Sequence, residues 1–129
     1  MDALTGIWRL VESRAWDGDA PLDAPYGEQP MGQLMFANGR MLSAICNGDP
    51  QPTVQGGRNY SSYGGTYTFD GTTLETLVDV ASEPARIGGR QIRAVLMHGE
   101  QMTMRPPARL YAGQMQRREL VWQRVWKPR

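Results

Sequence analysis

The sequence predicts an all-β chain of eight short antiparallel strands. Three observations carry this reading. Apolar and aromatic residues keep to one parity in one segment after another, as in Tyr63, Tyr67 and Phe69, then Leu74, Val78 and Val80. Turn signals separate the segments, above all Asn38-Gly39 and Asp70-Gly71. No stretch holds a helical period for three turns, and 15 Gly with 9 Pro suit many strands joined by turns. An eight-strand meander has two good solutions, a sandwich or a closed barrel, and closure removes the exposed edges.

Taken in order, residues 6–16 form the first strand, with Trp8, Leu10, Glu12 and Arg14 on one parity. Residues 17–31 hold three prolines and two glycines and read as a long loop, of the kind that often serves as a lid. Residues 33–37 and 40–47 flank the Asn38-Gly39 hairpin, which fits a type I′ turn. Residues 48–59 are a second long connection. Residues 60–69 and 72–82 make the next hairpin, with Leu74, Thr76, Val78 and Val80 expected on one face. Residues 83–89 connect to a strand at 90–97. His98-Gly99-Glu100 turns into residues 101–104, Pro106-Pro107 ends that strand, and residues 105–117 are irregular. Residues 118–126 are the last strand.

At 129 residues, the chain reads as one domain, 1–129, large enough to bury a core. Lys and Arg together number 14, Asp and Glu 13, so no charge footprint points to nucleic acid or to an anionic membrane. Cys46 is the only cysteine, which excludes an internal disulfide. The N-terminal residues have no basic start followed by an apolar run, and no stretch is long enough to span a membrane. A cytoplasmic protein is expected, monomeric or homodimeric, with no nucleic-acid or membrane partner.

Gly6-Ile7-Trp8, entering the first strand, resembles the start of a lipocalin barrel. Leu120-Val121-Trp122-Gln123-Arg124 resembles the last lipocalin strand, whose basic residue lies over the first-strand Trp. The run from Pro30 to Met41 is similar to a pattern of bacterial and fungal lipocalin-like-domain proteins, and Tyr63-Gly64-Gly65-Thr66-Tyr67 resembles their fourth strand. The resemblance implies an eight-stranded antiparallel up-and-down barrel, lipocalin-like, closed by pairing of its first and last strands. It places Trp8 at the closed end with Arg124 stacked on its ring. In one place the chain departs from the pattern. Thr76 lies where family members often carry a His, two residues before the inward Val78, so no activity drawn from that His is implied.

Candidate chemistry is sparse. His98 is the only histidine and sits in a turn, so no metal-ligand spacing exists and no metal or other cofactor is expected. Cys46 reads as a small strand hydrophobe. There is no Gly-x-Ser-x-Gly elbow, and Gly56-Gly57-Arg58 and Gly88-Gly89-Arg90 lack the strand-to-helix context of a phosphate loop. Parity offers more. If Trp8 points inward, so do Glu12 and Arg14. Arg93 shares the parity of Val95 and Met97, and Tyr63 and Tyr67 add two inward hydroxyls. The five form either a structural polar network or a ligand-polarising set. In the second case Glu12 is a base with a raised pKa, Arg14 or Arg93 holds an oxyanion, and a Tyr donates a proton. Leu10, Trp16, Tyr26, Leu34, Phe36, Ser43, Gly65, Thr76 and Val78 are the expected ligand-lining residues.

The function these features favour is a calyx for one small, largely apolar molecule, covered by residues 17–31. The alternative is a cofactor-independent isomerase, cyclase or lyase acting on a small hydrophobic substrate in the same cavity. A filled barrel serving only as an interaction scaffold is the third reading.

Overall fold

The computed structural model describes residues 2–50, 59–111 and 113–129. Its strands are β1 (Gly6–Asp17), β2 (Ala20–Leu22), β3 (Pro30–Ala37), β4 (Arg40–Asn47), β5 (Tyr60–Phe69), β6 (Thr73–Ala81), β7 (Arg90–His98), β8 (Gln101–Arg105), β9 (Arg109–Tyr111) and β10 (Gln114–Trp126). They form one antiparallel sheet of order β2-β1-β3-β4-β5-β6-β7-β8-β10-β9, and β1 also pairs with β10. That last pairing closes eight strands into a barrel. The expected connection at 48–59, and Gly56-Gly57-Arg58 within it, lie mostly outside the described residues.

Local chemistry explains the hairpins. Asn38 and Gly39 both take positive φ, 53° and 76°, as a type I′ turn requires. Asp70 Oδ1 accepts from the Thr72 and Thr73 backbone N–H groups and so ties the β5–β6 turn.

Two regions expected to be irregular carry short strands. The Asp17-Gly18-Asp19 turn folds β2 back on the end of β1, and β9 pairs with an early extension of β10. Each is only three residues long, too short for alternation to register against a Pro- and Gly-rich background. Between β6 and β7, residues Pro84–Arg86 form one 3₁₀ turn. No helix among the described residues is long and apolar enough to cross a membrane.

Bulges decide which side chains face inward. On β1, Leu10 pairs with Trp122 and Glu12 with Val121, which leaves Val11 as an extra residue. The parity therefore flips. Leu10 is buried, Glu12 is exposed, and Ser13 and Ala15 are buried in turn. The expectation that Glu12 and Arg14 point into the barrel is overturned by this one residue. On β6, Gly64 pairs with Val80 and Gly65 with Val78, so Asp79 is extra. Leu74, Thr76 and Val78 are buried, but Val80 is turned out to 50% exposure rather than sharing their face.

The end holding Trp8 is packed solid. Leu4, Trp8, Leu10, Phe36, Leu74 and Met102 are all 1% exposed or less. Trp8 donates its indole N–H to the Leu4 carbonyl at 2.9 Å, and the Arg124 guanidinium lies 4.4 Å above its ring. Arg124 also donates to the carbonyls of Ala3 and Thr5 and to Glu100. Topology and stacking thus agree with the sequence reading of this end.

Tyr67 packs edge-on against Phe36 and donates to Asp2 Oδ2 at 2.8 Å. Burial, with help from the Asp2 carboxylate, pushes its hydroxyl up from 10.0 to about 12. The folded state holds this proton more tightly than the unfolded chain does. The resulting contribution is intact below pH ~10 and is lost as pH rises from there towards the folded value. Urea midpoints should fall over that interval, and Tyr67→Phe should remove part of the fall. Parallel declines in both proteins would contradict the assignment.

Candidate functional site

The other half of the barrel is hollow. A cavity of about 770 Å³ opens at the end away from Trp8. Its apolar wall is Leu34, Ile45, Met104, Leu120 and Trp122, with Ser43 and Tyr63 among them. These are inward positions of β3, β4, β5, β8 and β10. The rim is built from the ends of strands and their connections: Pro25 and Tyr26, Asn59 to Ser61, Glu83 to Arg86, and Pro106 to Arg109.

Five arginines line it, namely Arg86, Arg90, Arg93, Arg109 and Arg118, against one acidic residue, Glu83. Arg90 reaches Glu75 at 3.1 Å, and Arg118 donates to Gln116. Arg93 donates to the Ile92 carbonyl. Arg86 comes from the 3₁₀ turn and folds back over the mouth. It donates through Nε and one terminal nitrogen to Gln91 Oε1, and through the other to Ser61 Oγ. Its guanidinium stands 4.4 Å over the Tyr63 ring. Tyr63 and Gln91 hold inward positions of β5 and β7, so the charge they clasp lies within the opening.

Comparison with known proteins agrees with the barrel fold. Residues 5–127 match the lipocalin-like domain. The chain belongs to that family. The lipocalin-like barrel is also similar to the crystal structure of an uncharacterized protein from Bacteroides eggerthii, with TM-score 0.50 and 13% identity, over 95% of this chain and 99% of that one. That likeness shows the fold alone. No curated protein matches the sequence.

The lipocalin-like barrel sorts the expected site residues into three places. Tyr26, Leu34, Ser43, Tyr63 and Arg93 line the cavity. Leu10, Phe36, Tyr67, Thr76 and Val78 are buried but do not line it, because they belong to the filled part. Gly65 is likewise buried away from the cavity. Its missing side chain makes room for the β6 backbone rather than for a ligand.

Glu12, Arg14 and Trp16 are on the outside, displaced by the bulge at Val11. Arg14 holds Glu12 in a two-bonded pair at 2.8 Å and reaches Glu119 at 3.2 Å. Arg105 meets the other oxygen of Glu119 at 2.5 Å. Trp16 is covered by the Arg117 guanidinium, 4.5 Å from its ring. The Arg14 hydrogen bonds hold the Glu12 carboxyl below the usual carboxylate range, the reverse of what a general base requires. The expected network of Glu12 and Arg14 with Arg93 and a Tyr does not form.

Sequence reasoning did not find Arg86, Gln91 or Trp122 as cavity residues. Arg86 lies in a connection, where parity gives no direction. Gln91 shares the parity of Arg93 and could have been read from it. Trp122 was legible as part of the closing strand but not as cavity wall. No cluster of metal-ligating side chains exists among the described residues.

Proposed function

We propose that the protein is a binding module holding one small, largely apolar molecule inside the barrel. The half-hollow interior carries this reading. A cavity of about 770 Å³, sealed by the Trp8 end and walled by Leu34, Ile45, Met104, Leu120 and Trp122, is the size and character of a small-molecule site. Pro25 and Tyr26, the part of the 17–31 segment that reaches the cavity, cover one side of the opening. Tyr26 is tied there by its backbone N–H to Ser13 Oγ at 3.1 Å. The bulged β1 favours this reading over a cofactor-independent isomerase, cyclase or lyase, since it removes the expected base, Glu12, from the interior.

The test is titration with the neutral fluorescent dye N-phenyl-1-naphthylamine. One molecule should bind per chain, with saturable enhancement of emission. Ser43 is 2% exposed and lines the cavity, so Ser43→Phe should block the dye while the melting temperature shows a folded barrel. Equal binding by both proteins would place the dye elsewhere and refute the calyx.

A further inference from the structure

Two residues that line this cavity carry a side-chain donor without an acceptor. The indole N–H of Trp122 is buried and has no hydrogen-bond partner, and neither has the side-chain N–H₂ of Gln91. Both residues line the same cavity, and Trp122 is 1% exposed. A buried donor without an acceptor is rare in a finished structure and asks for one from outside the chain. Arg86 adds a charge. Three of its five N–H groups go to Gln91 Oε1 and Ser61 Oγ, its face goes to Tyr63, and all three partners are neutral. Among the described residues no carboxylate pairs with it. This half-buried guanidinium at the mouth of an apolar hollow is placed to receive a negative group.

These observations rest on the calyx reading and sharpen it. We propose that the ligand is an amphipathic monoanion, a carboxylate on an apolar body. Its carboxylate sits at Arg86 and takes the spare Gln91 N–H₂. A carboxylate is the acceptor-only group that complements such donors, and its bonds to them are charge-assisted. The apolar body extends along Leu34, Met104 and the Trp122 ring. With Oε1 held by the guanidinium, the nitrogen of the same amide is left to the ligand.

The experiment compares dodecanoate with dodecanol, a pair alike in chain length and different in charge. Each is titrated as a competitor against N-phenyl-1-naphthylamine bound to the wild-type protein, to Arg86→Met and to Arg86→Lys, with melting curves to confirm folding. Dodecanoate should displace the dye from wild type at a concentration at least about tenfold lower than dodecanol, the scale of one charge-assisted contact. Arg86→Met should reduce that ratio to within about threefold, and Arg86→Lys, which keeps the charge but not the fork, should hold an intermediate ratio. Equal displacement by acid and alcohol from wild type overturns the anion and leaves the calyx standing. An undiminished ratio in Arg86→Met overturns the role of Arg86. Failure of the dye itself to bind wild type refutes the calyx, and the proposal with it.

Discussion

Arg124→Ala should be among the most destabilising substitutions of any charged residue in this barrel. The side chain is only 10% exposed and does four things at once. It stacks on Trp8, donates to the Ala3 and Thr5 carbonyls, and meets Glu100. The exposed Glu100 pair contributes little. The stacking is worth about 1–2 kcal/mol when desolvated, and charge-assisted bonds to carbonyls add about 1.5–3 kcal/mol before re-solvation is counted. A net loss of about 3 kcal/mol follows, enough to lower the melting temperature by roughly 10 °C. Arg124→Lys should recover only part of this, because an ammonium neither lies flat on the indole nor reaches both carbonyls as a fork. Dye affinity should stay near wild type in both, since Arg124 does not line the cavity. A loss of dye binding with unchanged melting would reverse this division of labour.

Gly65→Ala should be at least as damaging, for a steric reason. A Cβ at Gly65 would stand 1.9 Å from the Leu77 carbonyl oxygen, 2.9 Å from its carbon and 3.2 Å from the Asp79 nitrogen. All three are backbone atoms, and they are held there by the bulge that leaves Asp79 unpaired. No side chain can swing aside to relieve the clash. Overpacking commonly costs about 1–3 kcal/mol where side chains yield, so a wall of backbone should take the loss to about 3 kcal/mol or more. That is a large fraction of the roughly 5–15 kcal/mol that stabilises a typical domain. The neighbouring Thr66 is exposed, and Thr66→Ala should shift stability by no more than about 0.5 kcal/mol. Chemical denaturation of the pair decides the matter. Equal midpoints would mean that β6 can retreat from β5.

The architecture was legible because its signals are local. Asn38-Gly39 and Asp70-Gly71 fix hairpins, alternation fixes strands, and the two ends carry motifs that meet at Trp8 and Arg124. Side-chain direction was legible only as far as the first bulge. One extra residue at Val11 reverses β1, and nothing in Leu10-Val11-Glu12 distinguishes a bulge from regular strand. Asp79 does the same to β6. Where no bulge intervenes, as on β7, parity placed Arg93 correctly. Arg86 illustrates a different barrier. Its direction comes from Gln91, Ser61 and Tyr63, three partners on two other strands, and such long-range contacts leave no mark in a loop of a single sequence.

The measurement closest to the central claim is the position of a bound molecule relative to the four tryptophans. Trp122 lines the cavity, Trp8 lies in the sealed end, Trp16 is on the outer face, and Trp126 is 55% exposed. Each indole N–H gives a separate signal in a nitrogen-15 correlation spectrum, assignable by Trp→Phe substitution. Adding N-phenyl-1-naphthylamine should shift the Trp122 signal strongly and leave those of Trp16 and Trp126 in place. Shifts at Trp16 or Trp126 with Trp122 unmoved would place the molecule on the outside of the barrel and contradict the account.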